Sequence, residues 1–269
     1  MTKIKENSLL ITGGASGIGR IMGRMALQKG AQQVIIWDIN DQNIASTVEE
    51  LKQYGKVKAY KVDVSDSKAV EKAFALTCEE CGDVDILINC AGIITSNHSF
   101  AELSQTDIDR TMAINATAPM TIALQALPSM LRRNHGHICN IASAAGFIAN
   151  PKMSVYAASK WAVIGWSDSL RVELQQAKSN VHVSTIAPYY INTGMFDGVR
   201  SRIIPILKPE WVAKKILKAI EKNKKISSWP LGYHLIRTLQ AILPLRGLDL
   251  LCKVLGIYNA LDHFMGRKN

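Results

Sequence analysis

The stretch LLITGGASGIG (9–19) decides the fold. Its apolar start reads as a short strand, and Gly13, Gly17 and Gly19 crowd the turn that follows. Glycine admits dihedrals and close approaches that a Cβ would block. Beyond the turn, Ile18, Ile21, Met22, Met25 and Ala26 recur at helical spacing, so a helix is predicted over 17–29. A helix starting there directs its free N–H groups and positive end at the turn, where a pyrophosphate would sit. The spacing is GxxxGxG rather than GxGxxG, but the strand–turn–helix context is the required one. Gly13, Ser16, Gly17, Ile18 and Gly19 are therefore candidate nucleotide-binding residues.

Outward from this turn, strands and helices alternate. Further strands are predicted at 33–38, 58–64, 137–143, 181–188 and 225–229, and within 85–92, which also holds the turn that follows. Helices are predicted at 41–54, 66–81, 104–131 with a break near Pro119, 154–177 and 209–223. The apolar strands lack clean alternation, as expected when helices cover both faces of a sheet. Alternation of this kind implies right-handed crossovers and an α/β, doubly wound parallel sheet of about seven strands. One catalytic domain is expected over 1–230, with a helical extension over 231–269. Apolar residues recur through 231–264 between Pro230, Pro244 and Gly247, which suits two short amphipathic helices.

With 48% hydrophobic and 20% charged residues, the chain of 269 is neither disordered, collagenous nor coiled coil. Its net charge of +10 is unevenly placed: residues 1–199 hold 18 basic and 18 acidic residues, and 200–269 hold 14 and 4. Nucleic acid or an anionic membrane can therefore concern only the last quarter. No run of 18 uncharged apolar residues occurs, so no transmembrane helix is expected. The opening MTKIKENSLL leads straight into the first strand, and neither a signal peptide nor an N-terminal anchor is expected. Five cysteines, one CxxC pair (Cys78, Cys81) among them, read as small hydrophobes in a reduced, cytoplasmic protein, and no metal site is expected. His135 and His137 flank a turn glycine without acidic or cysteine partners nearby, which gives a metal no ligand set.

The second strand ends at Asp38, where a carboxylate can accept hydrogen bonds from the adenosine ribose and would repel a 2′-phosphate. No Lys or Arg lies between Trp37 and Gln42 to receive that phosphate, so NAD is expected as cofactor. Asp38 with Ile39, Asp63 with Val64, and Asn89, Ala91 and Gly92 end the second, third and fourth strands, at the edge where ligands bind.

Tyr156 and Lys160 are four apart in a helical stretch and share a face. Ser143 ends the preceding strand at the same sheet edge. A phenol with a pKa near 10 is a poor base at neutral pH. A lysine ammonium beside it, with a cationic nicotinamide, favours phenolate and makes proton transfer feasible. Tyr156 would take the hydroxyl proton as hydride leaves the carbinol carbon, Ser143 would orient the substrate oxygen, and Lys160 would also grip the nicotinamide ribose. Asn115 could order a water that relays protons from Lys160.

TGGASGIG (12–19), NCAG (89–92), Asn115, Ser143, YAASK (156–160) and PYYINT (188–193) together resemble the classical short-chain dehydrogenases/reductases over about residues 5–230. The resemblance implies a Rossmann sheet, a catalytic set of Asn115, Ser143, Tyr156 and Lys160, and cofactor contacts from Pro188 and Thr193. It also implies dimers or tetramers formed through the helices at 104–131 and 154–177. Two residues depart from the family pattern: Cys90 stands where Asn is usual, and Tyr189 where Gly follows the proline. PYYINTGMFDG (188–198), ILKPE (206–210), ILPL (242–245) and LGIYNALDHF (255–264) resemble more narrowly the epidermal-type retinol and 17β-hydroxysteroid dehydrogenases. Members of that subgroup use NAD on retinoids, steroids or other lipid alcohols and are typically associated with membranes or droplets. Their N-terminal anchor is not matched.

A substrate pocket is expected from Ile94, Ser143, Phe147, Ile148, Tyr189, Tyr190, Met195 and Phe196, whose apolar lining would suit a lipid-like alcohol. The basic extension has two open readings: peripheral membrane contact, or a solvated, partner-packed or pocket-closing tail. Nucleic acid is not expected, because no aromatic–basic motif or docking helix pattern is present. Competing functions are a 3-oxoacyl or other small carbonyl reductase, and a nucleotide-sensing scaffold without catalysis.

Overall fold

The computed structural model describes residues 1–95, 97–201, 204–230, 233–262, 264 and 266. Arg202, Leu231, Gly232, His263, Arg267 and Lys268, which belong to the basic quarter or its motifs, lie outside the described residues. Seven parallel strands form one sheet in the order β3-β2-β1-β4-β5-β6-β7. They are β1 (Ser8–Thr12), β2 (Gln33–Asp38), β3 (Val57–Lys61), β4 (Ile86–Asn89), β5 (Gly136–Ile141), β6 (Val181–Pro188) and β7 (Ile226–Trp229).

Successive strand residues point to opposite faces. From β1, Leu9 and Ile11 join a core with Met22, Ala26, Leu51, Val212 and Ile216, while Leu10 joins another with Phe74, Ile122, Met130 and Leu170. The first layer holds α1 (Gly17–Gln28), α2 (Asp41–Leu51) and α7 (Pro209–Glu221). The second holds α3 (Ser67–Cys81), α5 (Ala118–Arg133) and α6 (Ser154–Gln176). Strand order reverses between β1 and β4, which opens a crevice at their C-terminal ends.

The expected 104–131 helix is divided upstream of Pro119. It comprises α4 (Gln105–Met112), a π-helical turn (Ala113–Thr117) and α5. Pro119 lies in the first turn of α5, directly after the π-helical turn. The third strand ends at Lys61 and the fifth at Ile141, both short of expectation. The C-terminal region forms α8 (Tyr233–Ile242) and α9 (Leu245–Val254), then folds back: Ala260 and Leu261 are buried against Tyr156 and Tyr190.

Candidate active site

Gly13 turns the chain away from β1 with φ +63°, and a Cβ there would stand 2.9 Å from Ala91 Cα. Thr12 Oγ1 accepts the N–H groups of Cys90 (3.0 Å) and Ala91 (3.1 Å), fastening the ends of β1 and β4 together. Ser16 precedes α1 without a side-chain cap, and no acidic residue occupies the first turn. The opening N–H groups of the helix thus face the crevice without a side-chain partner, a fitting arrangement for a phosphate. Asp38 faces the same turn: its carboxylate accepts from Ala15 N–H (3.1 Å), Ile39 N–H (2.9 Å) and Asn40 N–H (3.2 Å).

One cleft, with a volume of about 140 Å³, is lined by Gly13, Ser16, Gly17, Ile18, Gly19, Ala91, Gly92, Ser143, Tyr156, Lys160, Pro188, Tyr189, Thr193, Met195 and Phe196. It brings together most residues expected for cofactor, chemistry and substrate. Cys90 also lines it; burial pushes its thiol up to about 12, so it stays neutral beside Lys160. Thr193 reaches over the glycine turn, its Cβ 3.6 Å from the position a Gly17 Cβ would take.

Lys160 is buried and its Nζ donates to Ile141 O at 3.0 Å. The ammonium lies 5.6 Å from the centre of the Tyr156 ring. Desolvation lowers Lys160 to about 8, still mostly charged at neutral pH. Burial raises Tyr156 to about 12, against the opposing effect of its hydrogen bond with Ser143. Asn115 lies in the π turn, a distortion frequent at functional sites. Its Oδ1 accepts Ile93 N–H (2.8 Å), and its Nδ2 donates to Ile93 O (2.9 Å) and Ser159 Oγ (3.2 Å). The point where a Gly92 Cβ would sit is 3.3 Å from Asn115 Oδ1 and 3.5 Å from Lys160 Nζ, so both polar groups face the gap that glycine leaves.

Several expected residues lie outside the lining of this cleft. Asn89 is buried away from the cleft, where its amide donates to Asn140 Oδ1 (2.8 Å) and Pro119 O (3.3 Å) and braces β4 to β5. Asp63 and Val64 follow β3, beyond β2 from the glycine turn, and Asp63 Oδ1 caps its own loop through Ser65 N–H (2.9 Å). Ile39 is exposed. Phe147 is a core residue, packed with Ala142, Val163, Ala187 and Ile236 rather than facing substrate. Ile94 packs at the edge of the Tyr156–Tyr190 cluster. His137 is buried between Thr2 Oγ1 and Ser184 Oγ, each 2.9 Å away.

A second chamber shares Ser143, Tyr189 and Phe196 with this cleft and adds the expected Tyr190 and Ile148, together with Ala145, Asn150, Met153 and Ile257, which sequence reasoning missed. Asn150 and Met153 had a signal, since they lie between Ser143 and Tyr156. Ile257 had none, because it arrives from the far end of the chain.

A glycine turn for phosphate and a Ser–Tyr–Lys group lining the same cleft at the C-terminal edge of a parallel sheet define a nucleotide-dependent oxidoreductase of Rossmann type. The family model for short chain dehydrogenase matches residues 7–203. Mus musculus epidermal retinol dehydrogenase 2 is 32% identical over 266 residues, 97% of this chain and 85% of that protein. Rattus norvegicus estradiol 17-beta-dehydrogenase 11 is 32% identical over 263 residues, 97% and 87% of the two chains. Xenopus tropicalis retinol dehydrogenase 10 is 30% identical over 291 residues, 96% and 85%. A solved short-chain dehydrogenase from Novosphingobium aromaticivorans superposes with a TM-score of 0.78 at 24% identity, covering 94% of each chain. The chain belongs to the short-chain dehydrogenase family, whose members are alcohol/carbonyl oxidoreductases with a nicotinamide cofactor.

Proposed function

We propose that the protein interconverts an alcohol and a carbonyl with NAD, that Tyr156 is its general acid/base, and that its substrate is hydrophobic. The observation carrying this reading is the single cleft in which the glycine turn, Ser143, Tyr156 and Lys160 meet an apolar chamber. The glycine cradle and the uncapped start of α1 fit the pyrophosphate, Asp38 the adenosine ribose, and Lys160 with Thr193 the nicotinamide half. Bound nicotinamide supplies the hydride acceptor or donor.

The chain's own residues manage the proton. Ser143 holds the substrate oxygen beside the Tyr156 hydroxyl. Burial opposes phenolate, so the base form depends on cationic charge close by, which the Lys160 ammonium provides. A water in the gap above Gly92 would link Lys160 to Asn115 and carry the proton outward. Asp38, without a nearby residue in 37–42 to bind a 2′-phosphate, supports NAD over NADP.

Residues 1–230 act as the catalytic domain in this reading, and 231–269 as an extension packed on it. We assign α8–α9 a peripheral membrane contact, supported by exposed Leu235, Ile242, Leu245, Leu250 and Val254 beside Arg237, Arg246 and Lys253. Among the described residues no helix is long and apolar enough to cross a membrane. Five unpaired cysteines support a cytoplasmic setting. Exposed Leu124, Leu131, Trp161 and Val172 on α5 and α6 support a homodimer or homotetramer. The test is NADH and NADPH production with retinol, hydroxysteroids, fatty alcohols and short secondary alcohols. NADH from the apolar alcohols is expected; no turnover of any alcohol overturns the reading.

A further inference from the structure

Tyr189 directly follows β6, and its N–H donates to Trp229 O at 3.0 Å. Its side chain lines both the catalytic cleft and the second chamber. Only Ser143 and Phe196 share that position, so two aromatic rings and one serine form the partition between the spaces. On one side is the cleft of about 140 Å³ that Tyr156 lines. On the other, the chamber has a volume of about 30 Å³, room for little more than one water molecule.

The Tyr189 ring is held from several sides. Its hydroxyl pairs with Ser201 Oγ at 3.3 Å. Tyr190 meets it edge to face with centroids 4.5 Å apart, and Phe196 meets Tyr190 at 5.0 Å and Tyr156 at 6.3 Å. The side chain also packs against four separate apolar clusters. These are the α1–α7 layer, the Tyr156–Tyr190 group, the Phe147–Ile236 core, and the group of Ile204, Cys252 and Ile257. A ring gripped by so many neighbours cannot swing aside without unpacking them. The partition is therefore a fixed wall, and only loss of the ring would join chamber to cleft.

Ser143 lines both spaces, so the chamber adjoins the reacting end. A primary carbinol carbon carries one carbon arm and a secondary one carries two. With the glycine-turn side given to the cofactor, a second arm beside Ser143 would have to enter the chamber, which the Tyr189 ring closes. Forcing extra carbons into a packed wall is destabilising. We propose that Tyr189 is a specificity-determining residue: it favours alcohols with one carbon arm on the reacting carbon over isomers with two. The assignment rests on the reading of the cleft as an alcohol-oxidising site.

The test compares 1-octanol with 4-octanol, isomers of equal apolar mass whose carbinols carry one arm and two. It uses the full chain as parent, Tyr189→Gly and Tyr189→Phe, and measures kcat/KM with NAD and affinity by calorimetry with NADH bound. The parent should prefer 1-octanol by both measures. In Tyr189→Gly that preference should fall at least about tenfold, the scale of a methylene or two in a tight pocket. Tyr189→Phe keeps the ring and should keep the parent's preference. Comparing the ratio between variants cancels the intrinsic difference between primary and secondary alcohols. A merely structural role would lower both alcohols alike and leave the ratio unmoved, which overturns the proposal. So does a ratio that Tyr189→Phe shifts as far as Tyr189→Gly, or equal affinities in the parent. If Tyr189→Gly fails to melt cooperatively, Tyr189→Leu carries the test, since it keeps apolar packing and should shift the ratio in the same direction. Absence of NADH from either alcohol would overturn the oxidoreductase reading for these alcohols, while the two affinities still decide the role of Tyr189.

Discussion

At the scale of single residues, Tyr156 and Lys160 are each buried against their own charge. Burial raises the phenol to about 12 and lowers the ammonium to about 8, so each group alone favours neutrality. Tyr156→Phe should lower kcat for alcohol oxidation by about 10²–10⁴-fold, the usual range for a lost acid/base group. NAD affinity, read by fluorescence titration, should change little; turnover near the parent's would remove Tyr156 from the role. Lys160 makes a prediction about stability as well. Its folded pKa is depressed from 10.5 to about 8, a penalty on the charged folded state of about 3 kcal/mol at neutral pH. Lys160→Met removes that penalty but leaves Ile141 O without its donor, worth about 1–2 kcal/mol. The variant should therefore be inactive yet about 1–2 kcal/mol more stable in denaturant melts at pH 7. Between pH 8 and 10.5 the unfolded parent holds the proton that the folded parent releases, so parent stability rises and the advantage of the variant shrinks. An advantage that stays constant across this window would show that Lys160 is not desolvated.

At the scale of elements, β5 carries a second buried titrating group. His137 is sealed between Thr2 and Ser184, tying the N-terminal segment, β5 and β6 together, and burial lowers it to about 3. With the unfolded value near 6.5, the folded protein lacks a proton that the unfolded chain binds below that pH. Stability should fall as pH drops from 6.5 toward 3, by on the order of 5 kcal/mol from this group alone. In His137→Gln acid unfolding should begin at lower pH, and an unshifted midpoint by circular dichroism would refute the linkage. Elements of this kind were largely legible: apolar runs such as 33–38 and 181–188 become the strands expected of them. The turn at Ala113–Thr117 was not, because a π turn differs from an α turn in hydrogen-bond register and carries no periodic signature. The side-chain destination of Phe147 was also illegible. It follows Ser143 closely in sequence, but the packing of Ile236 from α8 and Val163 from α6 puts it in a core. Ile257 reaches the chamber only because Leu261 is held near Asn97, a contact no local pattern encodes.

At the scale of the whole molecule, the +10 charge divides in a way the sequence alone obscured. Lys208, Lys214, Lys215, Lys218, Lys222, Lys224 and Lys225 lie on α7 or beside it and so belong to the sheet domain. On α8–α9 the charge is modest, and the distinguishing feature is exposed apolar area: Ile242 is 73% and Leu245 74% accessible. Arg237, Arg246 and Lys253 accompany them, while Asp249 is taken by the Tyr258 hydroxyl at 2.7 Å. Apolar side chains with basic neighbours suit the boundary between headgroups and acyl chains of an anionic bilayer. Deleting residues 231–269 would test this poorly, since it also strips Ala260 and Leu261 from the Tyr156 cluster. Ile242→Glu with Leu245→Glu is the sharper probe, because such exposed positions contribute little to folding. Removing two inserting side chains and adding two negative charges should weaken sedimentation with phosphatidylserine vesicles at least about tenfold. Binding by the parent should also weaken as salt screens the basic residues. If parent and double variant sediment alike, α8–α9 is not the membrane-facing surface, and its apolar row must be covered by protein instead.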